Sequence, residues 1–281
     1  MVERRSLGDF IPHIILCLGV LVVVFPVYLA LVGSTHDAAT IANGMRLTPG
    51  EHTIENYYRT LFEGASKTAR EPVSTMLLNS FIVALVIAFG KIAISIISAY
   101  AIVYFNFPFR MTAFWIIFVT LMLPVEVRIY PTYKTVSDLG LLDTYTGLTL
   151  PLIASATATL LFRQFFMTIP DELVEASKID GAGPFRFFKD TVLPLARTNI
   201  AALFVILFIY GWNQYLWPLL ITTRDDMQTI VIGIKKIMLV TDGFTEWQLA
   251  MATAVLAMLP PVLVVVLMQK LFVKGLVETE K

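Results

Sequence analysis

The chain has 281 residues, of which 57% are hydrophobic and 15% charged, and its formal net charge is zero. Soluble globular domains carry about 25% charged residues, so this composition excludes an ordinary soluble domain and indicates a membrane protein. The zero net charge also argues against the broad basic field of a nucleic-acid-binding protein. One cysteine, Cys17, excludes a disulfide within the chain, and we interpret it as a small apolar packing residue.

Six stretches of the sequence are apolar enough to cross a bilayer as helices, which takes about 20 mostly apolar residues. In chain order they are residues 11–33, 76–103, 111–130, 145–163, 199–221 and 247–269. No repeat period or low-complexity tract divides them. The sequence therefore predicts an all-α fold class, a polytopic transmembrane helical bundle with six spanning helices in a single domain over residues 1–281.

The basic residues beside the first and last stretches indicate the orientation, because cytoplasmic flanks are enriched in Lys and Arg. Arg4 and Arg5 precede the first stretch, and Lys270 and Lys274 follow the last. We therefore expect both termini in the cytoplasm. The first apolar run is longer than the core of about 7–15 residues in a signal peptide and lacks a clear A-x-A site, which favours an uncleaved anchor.

Lys91 stands near the middle of the second predicted span, where a charged side chain is costly unless it faces protein or water. A row of small residues accompanies it at helical spacing: Ser80, Ala84, Ala88, Ser95 and Ser98. Such a row lets another helix approach closely, so Lys91 is expected to point toward a helix or a cavity. Two interpretations stay open, a structural pair with a carboxylate or carbonyl group and a charge that lines a solute path.

The third predicted span ends in a cluster that holds both prolines and charges. Pro124 and Pro131 predict a break or bend, and the backbone groups they free are tolerated at this depth only against protein or water. Glu126 and Arg128, two residues apart, do not share a helical face, so at least one needs a partner elsewhere. Glu126 and Arg128 are candidate path residues, and Arg128 as a structural partner of a carboxylate is the alternative.

A polar and aromatic cluster lies near the end of the fifth predicted span. Tyr and Trp at this depth are usually interface residues, which would explain Tyr215 and Trp217. The consecutive amides of Asn213 and Gln214 need hydrogen-bond partners in hydrocarbon, and an interface position does not supply them. We therefore predict a wet cavity that binds a hydroxylated solute, with Trp212, Asn213, Gln214 and Tyr215 as path residues.

The connection between the fourth and fifth spans predicts two short helices. Thr168, Pro170 and Glu172 are typical of a helix start. Gly181 is typical of a helix end, and Pro184 suits the first turn of the next helix.

Three phenylalanines then follow on this charged connection: Phe185, Phe187 and Phe188. Exposed aromatic side chains on an aqueous segment are typical of a surface that binds a partner. The alternative is that the rings fold back onto the membrane surface, and composition leaves both interpretations open.

The same connection carries the run Glu175-Ala176-Ser177, then Gly181, and later Val192-Leu193-Pro194. This pattern resembles the EAA loop of the permeases of binding-protein-dependent ABC importers, with Ser177 in place of the second alanine. In that family the loop docks in a groove of the ATPase. The resemblance implies a cytoplasmic coupling loop at residues 168–196, with these candidate coupling residues: Glu175, Ala176, Ser177, Gly181, Phe185 and Pro194.

The resemblance extends over essentially the whole chain. Residues 212–218 are similar to the helix-five signature of carbohydrate-type permeases, and residues 121–133 and 269–281 also fit that subgroup. Within it, the chain is most similar to the second-permease subfamily of sn-glycerol-3-phosphate importers. The resemblance implies a bacterial inner membrane location among membrane lipids, a homologous permease as heterodimer partner, an ATPase dimer and a periplasmic solute-binding protein.

Signatures of catalysis are missing from the sequence. It has no G-x-x-x-x-G-K-[ST] loop, no His/Cys cluster with zinc spacing and no recognisable nucleophile elbow. We therefore expect no catalytic residue, no metal, no cofactor and no nucleic-acid partner, with ATP and Mg bound by the partner ATPase.

The expected function is import of sn-glycerol-3-phosphate by alternating access, with glycerophosphodiesters as further candidate solutes. A permease for a neutral sugar, oligosaccharide or polyol is the alternative within the family. A secondary transporter or channel is the alternative of another class, although it should show inverted repeats rather than an interrupted aromatic loop. A membrane enzyme should place acid, base or nucleophile groups at the water interface, and the sequence shows no such constellation.

Overall fold

A computed structural model describes residues 10–64, 71–123, 125–238 and 245–277, with side chains except at 121, 125, 126 and 272–277. Every regular element in these ranges is helical, which confirms the all-α fold class. The helices are α1 (Phe10–Gly33), α2 (Ala38–Ala42), α3 (Thr53–Phe62), α4 (Val73–Tyr104), α5 (Arg110–Val119), α6 (Val125–Asp138), α7 (Tyr145–Thr149), α8 (Ala156–Phe166), α9 (Asp171–Ile179), α10 (Pro184–Phe187), α11 (Leu193–Leu195), α12 (Arg197–Trp212), α13 (Leu216–Ile221), α14 (Ile230–Met238) and α15 (Trp247–Val277).

Three of these helices are long and apolar enough to cross a membrane unbroken, namely α1, α4 and α15. Each of the other three predicted spans is divided between two helices, namely α5 and α6, α7 and α8, and α12 and α13. A bend of 48° separates α7 with its 3₁₀ extension from α8, and a bend of 70° separates the α10–α11 stretch from α12. Within the described ranges the structure supports three continuous spans, or five if each bent pair is one span, so the predicted number of six is not confirmed.

The third predicted span is broken where its first proline stands. After α5 the chain makes a 3₁₀ turn at Thr120–Met122, and Leu123 is then extended, with φ −83° and ψ 114°. Pro124 lies outside the described residues, and α6 begins directly after it and continues through Pro131. The predicted interruption is therefore confirmed next to the first proline, whereas the second is accommodated inside a helix.

The described residues within 1–75 and 233–259 form one compact unit. Asn56 of α3 fastens this helix to the chain that leaves α1. Its Nδ2 donates to the carbonyl oxygens of Ser34 at 2.9 Å and His36 at 2.8 Å. Because Asn56 is buried, these bonds satisfy an amide that would otherwise be costly to bury.

The opposite face of α3 is apolar and exposed, through Ile54, Tyr58 and Phe62. At the side of this helix, Arg59 forms a bidentate ion pair with Glu246, with N–O distances of 2.8 and 2.9 Å. Two parallel hydrogen bonds of this kind fix an orientation as well as adding energy. The unit is thus held by polar contacts at the buried face and side of α3.

The second compact unit consists of the described residues within 76–232 and 260–281. Its core is an apolar cluster contributed by α4, α6, α7 and α13. The buried members are Val83, Ile87, Val136, Leu148, Trp217 and Ile221. Helices in a membrane associate largely through van der Waals packing of such side chains, so this cluster positions the surrounding helices.

Within this unit α4 and α12 approach each other through small residues. Ala84 and Ala88 are fully buried, and a Cβ atom added to Gly211 would lie 2.9 Å from the Cα atom of Ala84. The helices run antiparallel, since Phe89 further along α4 contacts Phe204 earlier in α12, with ring centroids 5.2 Å apart. The predicted row of small residues around Lys91 is therefore confirmed as a helix-packing surface.

A carboxylate joins two connections of the same unit. Asp143, between α6 and α7, accepts hydrogen bonds from the backbone N–H groups of Thr223 at 2.6 Å and Arg224 at 2.9 Å, and from the Thr223 hydroxyl at 2.5 Å. Partial burial acts to raise its pKa, but these hydrogen bonds outweigh burial and hold the pKa of Asp143 below its ordinary value. The contact compensates for the left-handed backbone of Asp143, φ 53°, which is unfavourable for a residue with a Cβ atom.

The close contact of α4 and α12 can be tested with Gly211→Ala. The added methyl group meets backbone atoms of α4, so the helices must separate, and we expect a loss of about 1–3 kcal/mol in stability. The measurement is the thermal unfolding midpoint of the purified protein in detergent. The matched control is Gly19→Ala in α1, where no atom lies within 4 Å of the added Cβ. Equal midpoints for the two variants would contradict the packing described.

Candidate functional site

Residues 168–196, hereafter the 168–196 segment, begin with the short helix α9. Pro170 precedes it in an extended conformation, and Asp171 and Glu172 occupy its first turn. Lys178 lies in the last turn, so the charges at both ends complement the helix dipole. Thr168 does not cap the helix, because its hydroxyl donates to the carbonyl of Phe165 at 2.7 Å; the prediction for Thr168 was wrong.

Gly181 ends α9 in the way its sequence position predicts. Its φ is 68°, a left-handed conformation that suits glycine. The N–H of Ala182 donates to Ser177 O and that of Gly181 to Lys178 O, each at 3.0 Å. This pair of bonds is typical of a helix end closed by a left-handed glycine. The chain then turns at Gly183 into α10, so both predicted short helices are confirmed.

The outer surface of the 168–196 segment combines polar and apolar side chains. Glu175 and Ala176 are exposed and Ser177 is half-buried, and no residue of α9 is buried. Ile179 is 86% exposed and Phe185 is 78% exposed. Large apolar side chains on a segment otherwise this polar are typical of a surface that another protein covers.

The three phenylalanines divide between two roles. Phe185 is exposed, whereas the Phe188 ring packs 4.9 Å from the Tyr100 ring and the Phe187 ring 5.3 Å from the Tyr104 ring. The Tyr100 hydroxyl also donates to the carbonyl of Pro184 at 2.7 Å. Two rings therefore fold back, as one interpretation supposed, but onto α4 rather than the membrane surface.

The tyrosines that hold the segment were not identified from the sequence. Tyr100 and Tyr104 are four residues apart at the end of an apolar helix, so both rings lie on one face. That spacing is the signal that could have revealed them. From that spacing, Phe187 and Phe188 could have been predicted to pack on α4, which leaves Phe185 as the exposed phenylalanine.

The segment ends in an unusual backbone conformation. Residues Phe188–Val192 form a π-helical turn, which is rare and occurs frequently at functional sites. Arg186 and Asp190, one turn apart on its exposed side, form an ion pair at 3.4 Å. Pro194 follows in α11, exposed, before the chain enters α12.

Lys91 lies between α4 and α12 with only 7% of its surface exposed. Its Nζ atom is 3.8 Å from the centroid of the Tyr210 ring, the geometry of a cation–π interaction. Gly211 of α12 lies opposite Ala84, which precedes Lys91 on α4. Because the side chains of a helix lean toward its N-terminus, Lys91 can reach back to Tyr210, the neighbour of Gly211. Lys91 therefore points toward a neighbouring helix as predicted, but it contacts an aromatic ring rather than a carboxylate or carbonyl group.

The other predicted path residues are arranged around this contact. Arg128 is exposed on α6 and close enough to Lys91 for the two positive charges to repel each other. Gln214 is half-buried, and its Nε2 donates to the carbonyl of Tyr210 at 3.0 Å. Lys91, Arg128, Tyr210 and Gln214 will be called the polar cluster. Tyr210 was not identified from the sequence, because nothing local indicates which ring a lysine on another helix contacts.

The remaining candidates do not all join the polar cluster. Asn213 is exposed where α12 ends, and Tyr215 is half-buried in the break before α13. Trp212 is 3% exposed and stacks on Phe208, with ring centroids 5.9 Å apart. Glu126 belongs to α6, but its side chain lies outside the described residues.

Trp217 is a core residue rather than an interface residue. It is 5% exposed, and its indole N–H donates to the carbonyl of Gly147 at 3.1 Å. An indole N–H buried in a protein core needs such a partner. The interface interpretation of Trp217 was therefore wrong. Across the described ranges, no group of three or more His, Cys, Asp or Glu side chains is placed to hold a metal ion.

Comparisons with known proteins place this geometry in a wider context. Residues 91–278 match the family described as "Binding-protein-dependent transport system inner membrane component". Over the full length of both chains, the sequence is 60% identical to the sn-glycerol-3-phosphate transport system permease protein UgpE of Agrobacterium fabrum strain C58. The identity to the proteins of the same name is 59% for Rhizobium meliloti strain 1021 and 56% for Pectobacterium atrosepticum strain SCRI 1043.

A solved structure shares the fold. It belongs to a bacterial ABC transporter involved in the import of the acidic polysaccharide alginate, with a TM-score of 0.82 and 20% sequence identity. The match covers 96% of this chain and 99% of that one. The fold of this chain is thus that of a chain in a solved ABC transporter.

The role of Gly181 can be tested by comparing Gly181→Ala with Gly183→Ala. An added Cβ meets no atom within 4 Å at either position, but only Gly181 is left-handed, so only Gly181→Ala should cost about 1–2 kcal/mol. We expect the amides of residues 181 and 182 to exchange hydrogen about 5- to 30-fold faster in that variant, as free energies of this size predict. Gly183→Ala should leave the exchange unchanged, and similar exchange in both variants would contradict the role of backbone conformation.

Proposed function

The chain belongs to the family of binding-protein-dependent transport system inner membrane components, and from this premise we propose that it carries sn-glycerol-3-phosphate into the cytoplasm. As a member of this family it is a permease subunit of an ABC importer and not an enzyme. The observation that carries the choice of solute is 60% identity, over the whole of both chains, to a permease named for that solute. Glycerophosphodiesters are further candidate solutes.

The charges of the polar cluster support an anionic solute. A phosphate monoester carries about −1.5 to −2 charge at neutral pH, and moving it through a low-dielectric region is costly without fixed cations. Lys91 and Arg128 act on each other as like charges, so an anion between or beside them lowers the repulsion. In our proposal the exposed Arg128 binds the phosphate group directly. The buried Lys91 adds a second positive charge to the site.

The amides of the break after α12 support recognition of the hydroxyl groups. Asn213 is exposed and Gln214 half-buried at this break, where the chain departs from helical geometry. Trp212, buried against Phe208, would support the wall of the path rather than touch the solute. We assign Tyr215 to the edge of the path, and Glu126 of α6 to the path as well.

A permease for a neutral sugar, oligosaccharide or polyol is the alternative within the family. Such a solute would use Asn213 and Gln214 in the same way. It would gain nothing from the positive charges of Lys91 and Arg128. The pair of cations therefore favours the phosphate ester.

The assignment of Arg128 is tested by Arg128→Ala in an uptake assay with labelled sn-glycerol-3-phosphate. A hydrogen bond to a charged group contributes about 1.5–3 kcal/mol, so we expect uptake to fall about 10- to 100-fold. Arg128→Lys should restore part of it, because it keeps the charge and loses the planar fork.

The matched control is Lys134→Ala on the same helix, because Lys134 is exposed and pairs with Asp138 at 3.1 Å. It should transport normally. Unchanged uptake by an Arg128→Ala importer that assembles normally would refute the role of Arg128.

We assign the docking surface for the ATPase to the exposed face of the 168–196 segment. The candidate coupling residues Glu175, Ala176 and Ser177 lie there, with Ile179 and Phe185 as its large apolar groups. ATP and Mg bind to that ATPase, and this chain binds no cofactor. This assignment requires the segment to face the cytoplasm, as it does if both termini are cytoplasmic.

The contacts of the segment supply a route for transmission. Phe188 packs on Tyr100, so a displacement of the docked surface moves α4. Lys91 is nine residues from Tyr100 on α4, about 13 Å at about 1.5 Å per residue. In alternating access, the homologous permease and the solute-loaded binding protein would act on the same equilibrium, each through its different affinity for the two states.

Phe185→Ala and Phe109→Ala together test the docking surface. Both side chains are about equally exposed, 78% and 80%, and both lie on connections that the proposed orientation puts in the cytoplasm. We expect Phe185→Ala to weaken copurification of the ATPase about 30-fold, because truncating an interface anchor typically costs at least about 2 kcal/mol. Phe109→Ala should retain the ATPase, and equal losses would show that exposed aromatic area alone is responsible.

A further inference from the structure

A cleft of about 520 Å³ lies beside the end of the 168–196 segment, separate from the polar cluster. Its walls come from α4, α12 and α15, through Phe89, Phe204 and Met268. Its remaining edge is formed by the π-helical turn and α11, through Lys189 and Leu193. The cleft therefore joins membrane-spanning helices to the segment proposed to dock the ATPase.

Two positive charges line this cleft. Lys189 of the π-helical turn and Arg197 at the start of α12 are both exposed. In the part of the chain that the structure describes, neither belongs to an ion pair closer than 4.0 Å. The adjacent carboxylate, Asp190, pairs with Arg186 instead. The cleft thus presents cations whose charge its own surroundings do not neutralise.

The rest of the cleft is hydrocarbon. Phe89 and Phe204 contact each other along one side, yet Phe89 is 59% exposed. Leu193 at the edge is 36% exposed, and Ile92 at the base is 8% exposed. A ligand that satisfies both parts must carry an anionic group beside an apolar chain.

We propose that this cleft binds an anionic phospholipid, with its phosphate at Lys189 and Arg197 and an acyl chain along Phe89 and Phe204. Basic pockets between membrane helices are known binding places for such headgroups. A free phosphate ion would leave the apolar walls unused, and an apolar protein surface would leave two cations without partners. The phospholipid satisfies both and is always present around a membrane protein.

The location gives the lipid an effect on coupling. Lys189 and Leu193 belong to the 168–196 segment, so a lipid held between them and α12 ties the segment to the membrane. Efficient coupling to the ATPase then requires anionic lipids in the bilayer. This inference rests on the chain being a membrane permease and does not depend on the solute.

The experiment uses the complete importer complex, exchanged into mixed micelles with equal amounts of phosphatidylglycerol and phosphatidylcholine. Retained lipid is measured by native mass spectrometry for the natural chain and for Lys189→Gln/Arg197→Gln. The control is Arg110→Gln/Lys134→Gln, which removes the same charge from one half-buried and one exposed position, neither of which lines the cleft. A further sample contains inorganic phosphate as a competitor without an acyl chain.

We expect the natural chain and the control to retain phosphatidylglycerol in preference to phosphatidylcholine. The Lys189→Gln/Arg197→Gln variant should lose about tenfold or more of this retention, as expected for two basic contacts to an anionic headgroup. Inorganic phosphate should not displace the lipid. Four results would each overturn the proposal. The first two are equal retention of both lipids and undiminished retention by the variant. The other two are displacement of the lipid by phosphate and absence of lipid from a complex whose partner permease covers the cleft. None of these outcomes bears on glycerol phosphate uptake, which is measured separately.

Discussion

The close approach of α4 and α12 at Ala84 and Gly211 is the constraint on which the rest of the second unit depends. Two helices that touch through backbone and a methyl group can hold only one register, because any slip brings larger side chains into the contact. That register puts Phe89 against Phe204 and sets Lys91 over Tyr210. The polar cluster is therefore a consequence of a contact that contains no polar side chain.

The same helix carries both ends of the proposed mechanism. Lys91 in the middle of α4 belongs to the polar cluster, and Tyr100 near its end holds the 168–196 segment through a ring contact and a hydrogen bond to Pro184. The segment also continues directly into α12, so α4 and α12 receive any displacement together. A lipid beside Lys189 would act at the same junction, where the segment, α4 and α12 meet.

The sequence predicted structural features correctly where their physical cause lies within a few residues, and less well where the cause is a contact between distant residues. The ends of α9 and α10 follow from the backbone preferences of Gly181 and Pro184, which act within a few residues. Which phenylalanine is exposed depends on the contacts of Phe187 and Phe188 with Tyr104 and Tyr100, two residues of α4 that are distant in sequence. Lys91 was predicted to face a helix, yet its contact with Tyr210 joins residues far apart in sequence, which composition cannot pair.

Because residues Phe188–Val192 form a π-helical turn, the number of residues in this stretch determines how the exposed surface before it is oriented. A wide turn accommodates one residue more than regular helix would, and removing a residue from an α-helix rotates everything before it by about 100°. Loss of a single residue there would rotate Phe185, Phe187 and Phe188 together about the helix axis, so Phe185 would face another way and the rings of Phe187 and Phe188 would leave Tyr104 and Tyr100. Substitutions change what the exposed surface is made of, but the number of residues between Gly181 and Pro194 decides which way that surface faces.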